Sequence, residues 1–197
     1  MPLPDDVPES VDGNADVIAD KRAKSLLDYI VPAAVVLLFV VAFFSASSKP
    51  IHALIDKPAP AFKLPARSGE LVALADARGK VVVLDFWASW CEPCLRQMPK
   101  LAEVGEIVGP DVVILSVNVD EATEDRDGKI AAFLTTAKVD FDVLVDNGTA
   151  ADLYHVDSLP ALVIVDRDGV VRYADAGVHD TDLLVRKIEE LRGGADG

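Results

Sequence analysis

Hydrophobic positions fall into two regimes along the chain. The first is Ile30 to Phe44, an unbroken apolar run with no polar stripe of the kind a buried amphipathic helix carries. With Tyr29 and Ala46 counted it reaches about 18 residues, the lower limit for crossing a bilayer. Ser45-Ala46-Ser47 offers small residues at the spacing of a signal-peptide cleavage site. The leader before the run, residues 1–28, is polar and rich in acids, which is unusual for a signal peptide. It reads as a disordered cytoplasmic tail, and residues 29–46 read as an uncleaved transmembrane anchor. Residues 47–60 (SSKPIHALIDKPAP) contain Pro50, Pro58 and Pro60 and read as a linker.

The second regime starts at Ala61 and alternates between short runs of period two and longer stretches of period three to four. Phe62 to Leu64 and Leu71 to Ala73 predict a hairpin around Ser68-Gly69. Val81 to Phe86 and Val112 to Val119 are continuous apolar runs, as in strands buried on both faces. Cys94, Met98, Leu101 and Ala102 recur at helical spacing, with a kink expected at Pro99. A second helix is predicted over about 127–137. Ala161 to Val165 and Val170 to Tyr173 flank Asp168-Gly169, a strong hairpin signal. Leu184, Ile188 and Leu191 mark a last amphipathic helix, ended by Gly193-Gly194. This order of strands and helices predicts an α/β domain over residues 61–193, with a mixed central sheet and helices on both faces, and a short tail at 194–197.

Charge changes the picture in two ways. The net charge of −14, from 33 acidic and 19 basic residues, argues against nucleic-acid binding. Lys21, Arg22 and Lys24 precede the apolar run while only Lys49 and Lys57 follow it closely. The positive-inside rule therefore keeps the N-terminus cytoplasmic and exports the C-terminal domain.

The chain has two cysteines, Cys91 and Cys94. A loop this small stabilises a fold by only about 2 kcal/mol in the chain-entropy model, so a structural staple explains the pair poorly. Redox chemistry and metal binding remain. A structural zinc site needs about four ligands, yet there is no second CxxC, and His52, His155 and His179 show no ligand spacing. The pair lies between a predicted buried strand and a helix start, where free backbone N–H groups and the helix dipole favour a thiolate at Cys91. One helical turn returns Cys94 beneath Cys91. Cys91 is then the exposed attacking thiol and Cys94 the resolving one, while Glu92 between them opposes thiolate formation. Asp85 is a carboxylate inside an apolar strand. Its pKa should be raised, unless Lys80 pairs with it or the strand edge is exposed. Pro160, directly before the run Ala161 to Val165, points to a strand start or a cis bond.

The block Val83-Leu84-Asp85-Phe86-Trp87-Ala88-Ser89-Trp90-Cys91-Glu92-Pro93-Cys94 resembles the active site of the thioredoxin superfamily. The anchor, the Glu92-Pro93 pair, Met98-Pro99 and the inserted helical segment after Val119 resemble its TlpA/ResA-like branch of membrane-tethered, exported thioredoxins. The resemblance covers about residues 57 to 192. It implies a thioredoxin-like fold and a protein-disulfide reductase with Cys91 as nucleophile and Cys94 as resolving cysteine. It further implies a cis-Pro160 facing the dithiol, with Leu159 offering its backbone to an extended substrate and Trp90, Glu92 and Pro93 lining the substrate site. Asp85 matches the buried acid of thioredoxin, which relays the proton of the resolving cysteine; the TlpA/ResA-like branch often carries an amide there. No cofactor beyond the redox-active disulfide Cys91–Cys94 is implied. The implied partners are a membrane electron-donor thiol reductase and a client that is either apocytochrome c, at its haem-binding thiols, or the copper-site protein of an oxidase. The implied location is a bacterial cytoplasmic membrane, with the domain in the periplasm or at the cell exterior. Competing readings are a disulfide oxidase or isomerase, a copper chaperone using Cys91, Cys94 and His179, and a peroxidase relative of the same fold. Trp87 and Trp90 are expected to pack around the dithiol, the acidic loop from Asp120 to Asp127 to be solvated, and His179 to lie on the surface.

Overall fold

The computed structural model describes residues 30–32, 34–37 and 50–193. The described residues of the apolar run are helical and exposed. The rest of the expected anchor, the tail over 1–28 and residues 194–197 lie outside the described residues. Among the described residues, no helix is long and apolar enough to cross a membrane.

The domain is built on strand β3 (Val81–Trp87), a β-branched and aromatic run buried at every position. With β1 (Lys63–Pro65), β2 (Leu71–Ala73), β4 (Val112–Asn118), β5 (Val143–Val145), β6 (Ala161–Val165) and β7 (Val171–Ala176), it accounts for two sheets. β1 and β2 form an antiparallel hairpin, and the others form a five-stranded sheet in the order β5-β4-β3-β6-β7. β3 runs parallel to β4 and antiparallel to β6, β4 is parallel to β5, and β6 is antiparallel to β7. The sheet is therefore mixed and flanked by helices, as the pattern predicted. Among the described residues from Pro50 onward, the α-helices are α1 (Glu92–Val108), α2 (Arg126–Ala137), α3 (Thr149–Leu153) and α4 (Thr181–Gly193).

Alternation along β3 sorts the core. Val81 and Val83 face Leu101, Val104 and Val108 of α1 and Leu184 and Ile188 of α4. Trp87, on the same face, packs with Met98 of α1 and with Ile130 and Phe133 of α2. Val82, Leu84 and Phe86 face the opposite side, against Leu64, Tyr154 and the turn residues Ile51, Leu54 and Leu74. α1 runs through Pro99 without a break, although the missing N–H leaves the Leu95 carbonyl without its helical donor. It ends at Gly109, whose φ of 71° lies in the region that favours glycine.

Two differences from the sequence pattern have plain causes. The expected linker over 47–60 is folded from Pro50 onward. Ile51 and Leu54 supply apolar side chains to the core, and Asp56 to Ala59 bond to the edge of β7. β5 and α3 were not anticipated, because runs of three and five residues are too short for a periodic signal. The Asp168-Gly169 hairpin is present, with Gly169 at φ 79° and its N–H donated to Asp166 O.

Leu101 of α1 is fully buried against the sheet and α4, where its loss leaves a cavity. Leu101→Ala is expected to lower unfolding free energy by about 2–5 kcal/mol, read from urea denaturation midpoints.

Candidate functional site

β3 ends at Trp87, and the chain turns through Ala88, Ser89 and Trp90 into α1, whose N-cap is Cys91. The Cys91 N–H donates to Ala88 O at 3.1 Å, closing this turn. Cys91 and Cys94 are joined as a disulfide, with Cα atoms 5.3 Å apart. The Cys94 N–H lies 3.1 Å from Cys91 O and 3.3 Å from Cys91 Sγ, so the backbone itself offers a donor to the N-terminal sulfur. The pair is less accessible than expected for an exposed attacking thiol: Cys91 is 4% exposed and Cys94 1%. The two still differ in setting. Both pack in the cluster of Trp87, Met98 and Phe133, but Cys91 also lines an open cleft of about 640 Å³ that Cys94 does not reach.

Trp90, Glu92 and Pro93 form one wall of that cleft, and Val156 and Leu159 stand opposite. The Leu159–Pro160 peptide is cis, and the Gly177 N–H donates to Pro160 O at 2.8 Å. Pro160 itself is buried at the start of β6. The structure thus brings five predicted residues to one cleft: Cys91, Trp90, Glu92, Pro93 and Leu159. Pro160 is tied directly behind Leu159.

Asp85 lies on the α1-facing side of β3, in register with Ser116 of β4 and Leu162 of β6. It is fully buried, and neither carboxylate oxygen has a hydrogen-bond partner. Loss of hydration pushes its pKa up from 3.8 to about 7. Lys80 does not pair with it; its Nζ donates to Pro110 O at 3.5 Å. Ser116 is occupied too, accepting the Trp87 indole N–H at 2.8 Å.

Several expectations are corrected. Trp90 does not shield the dithiol, being 74% exposed, because the turn into α1 carries it outward. Trp87 alone packs inward, stacked on Phe133 with ring centroids 4.4 Å apart. His179 is not a surface residue: it is buried, its N–H donates to Gln97 Oε1 at 2.6 Å, and its Nε2 lies 3.3 Å from Asp175. Burial works against the Asp175 carboxylate, but hydrogen bonds from His179, the Ala176 N–H and His52 outweigh it and hold its pKa below the usual value. Among the described residues, no group of three or more ligating side chains is placed to hold a metal, so Cys91, Cys94 and His179 are not assembled as a copper site. Within the acidic loop, Glu121, Glu124, Asp125 and Asp127 are exposed as expected, whereas Asp120 is buried. The sequence offers no sign of Gln97, and it shows Asp120 only as one acid of a loop, because a single polar residue in a helix or loop carries no periodic signal of its own.

The model of the AhpC/TSA family matches residues 55–174. The chain belongs to this family. The matched span contains Asp85, both cysteines and Pro160. Among its curated relatives is the thioredoxin-like protein YneN of Bacillus subtilis, 33% identical over 144 residues, which make up 73% of this chain and 84% of YneN. The thiol-disulfide oxidoreductase ResA of the same organism is 35% identical over 138 residues, or 65% of this chain and 74% of ResA. A solved structure named as a thiol:disulfide interchange protein, DsbE, from Chlorobium tepidum superposes with a TM-score of 0.61 at 33% identity. The match covers 69% of this chain and 96% of that one. This AhpC/TSA-family member is a thiol–disulfide oxidoreductase with a thioredoxin-like fold.

The Asp85 carboxyl makes stability depend on pH. Its pKa is higher in the folded state than in the unfolded chain, so its contribution is fully present below about pH 4 and is lost as pH rises through about 7. Asp85→Asn removes this dependence. Urea denaturation is expected to show the variant more stable than wild type at about pH 8, by up to about 4 kcal/mol, with the gap closing toward about pH 4.

Proposed function

We propose that the protein is a membrane-tethered, extracytoplasmic reductase of protein disulfides. The reduced Cys91 thiolate attacks one sulfur of a client disulfide, forming a mixed disulfide and releasing the first client thiolate. Cys94 then attacks Cys91 Sγ, releasing the second client thiol and closing the Cys91–Cys94 disulfide. The two electrons come from the dithiol of an upstream membrane electron-donor reductase. Cys91 takes the first role because it lines the cleft, and Cys94 the second because it lies behind it. Leu159, at the cleft wall before cis-Pro160, supports an extended client pairing along its backbone.

The observation that carries the reductive direction is Asp85, buried with no hydrogen-bond partner and with a pKa raised to about 7. A carboxyl that titrates near neutral pH is suited to take the Cys94 proton during resolution. A buried carboxylate and Glu92 both disfavour the stabilised thiolate that makes a couple strongly oxidising. Export is supported by the apolar run over 29–46 and by the basic residues that precede it. Client choice follows the resemblance to the TlpA/ResA-like branch: the haem-binding thiols of apocytochrome c, with the copper-site thiols of an oxidase subunit as the next candidate.

The test is the reduction potential of the couple in the full-length protein, equilibrated against glutathione buffers. A value near or below about −270 mV supports the reductase, and one near −120 mV overturns it in favour of disulfide insertion. The roles of the cysteines separate in variants. Cys94→Ser is expected to accumulate a mixed disulfide with a client, visible on non-reducing gels, whereas Cys91→Ser forms none. Asp85→Asn is expected to slow release of the second client thiol about 10- to 100-fold at neutral pH, with formation of the mixed disulfide little changed.

A further inference from the structure

Asp120 follows β4 and is a buried carboxylate, 5% exposed. Its Oδ1 accepts the Ser89 N–H at 2.9 Å, and its Oδ2 lies 3.2 Å from the same nitrogen. Oδ2 also accepts Asn118 Nδ2 at 3.1 Å, while Asn118 Oδ1 accepts the Asp120 N–H at 3.2 Å. Each partner is thus a neutral N–H donor. The Arg126 guanidinium passes the carboxylate by, donating to the main-chain oxygens of Asp120 and Asp146 and to Asn147 Oδ1. Among the described residues, no ion pair includes Asp120.

The anchored N–H belongs to the turn that presents the dithiol. Ser89 stands two residues before Cys91, and Cys91 closes that turn on Ala88 O. Consecutive Cα atoms are 3.8 Å apart, so the Asp120 carboxylate lies within about 12 Å of Cys91. Ser89, Trp90 and Asp120 also share a pocket that adjoins the dithiol cleft through Trp90.

We propose that Asp120 is a positioning residue that sets the redox poise of the Cys91/Cys94 couple. Through Ser89 it fixes the turn ahead of Cys91, and its carboxylate, which no cation contacts directly, opposes the thiolate of the reduced state. In exchange with glutathione, the protein disulfide takes two electrons from two glutathione thiols, giving two protein thiols and one glutathione disulfide. Whatever disfavours the protein thiolate shifts that equilibrium toward the protein disulfide and makes the reduced protein the stronger donor. The inference rests on the oxidoreductase reading and gives its reductive direction a second source, separate from Asp85.

The test compares full-length wild type, Asp120→Asn and Asn118→Ala. Two readouts are used: the Cys91 thiol pKa, from the pH dependence of alkylation, and the glutathione exchange equilibrium. Asp120→Asn keeps an acceptor for Ser89 but removes the charge. It is expected to lower the Cys91 pKa by about half to one unit and to move the equilibrium roughly threefold toward the dithiol. Asn118→Ala removes a hydrogen bond but leaves the charge, and is expected not to move either readout in that direction. Unchanged values in Asp120→Asn, or the same shift in Asn118→Ala, overturn the proposal. If Asp120→Asn does not fold, Glu121→Lys places a cation on the exposed neighbouring position. It is expected to shift both readouts as the loss of charge does, and no shift overturns the proposal. Failure of the wild type to exchange with glutathione counts against the oxidoreductase reading instead; the alkylation pKa then still decides the role of Asp120.

Discussion

Everything in the domain depends on β3 being buried on both faces and bonded on both edges. A strand so enclosed is rigid, and its end at Trp87 fixes where the chain enters α1. That entry point delivers Cys91 to the helix N-terminus, where backbone donors meet a sulfur. The same enclosure strips Asp85 of water two residues before the strand ends. Reactive sulfur and perturbed carboxyl are thus two results of one constraint, the lack of any solvent path to the middle of the sheet.

The surroundings of the disulfide divide into a wet side and a dry side. The cleft with Trp90, Glu92 and Leu159 meets solvent, and the cluster of Trp87, Met98 and Phe133 does not. Thiol exchange needs this asymmetry, since one sulfur must meet a bulky partner and the other must be kept from it. The negative groups near the dithiol, Asp85, Glu92 and Asp120, lie on different elements: a strand, a helix start and a loop.

Legibility of the sequence followed the length scale of each signal. The long apolar runs of β3 and β4 and the Asp168-Gly169 turn are strong local signals, and the structure contains all three. The cysteine pair, Asp85 and Pro160 were readable because each breaks a pattern: a thiol spacing, a charge in a strand, a proline before a strand. β5 and α3 were not readable, because three and five residues hold too little periodicity. Trp90 misled because two nearby tryptophans suggest a shared role, whereas the turn at Ala88–Trp90 points one inward and the other outward. His179 and Asp120 owe their burial to partners distant in sequence, Gln97 and Ser89, and a one-dimensional pattern does not show such pairs.

The segment from Asp56 to Arg67 touches both edges of the five-stranded sheet. Asp56 and Ala59 donate to Val171 and Gly169 on the β7 side, Lys57 O accepts from Val171, and the Arg67 N–H bonds to Val143 O on β5. A dozen residues ahead of the catalytic elements therefore act as a gasket over the start of each outer strand, at Val171 and Val143. Cut at Ala61, where the apolar alternation begins, the domain keeps its dithiol and its core strands but loses the seal along β7. Bare edges recruit neighbours. The boundary that keeps the seal lies before Asp56, earlier than the one that keeps the fragment chemically complete.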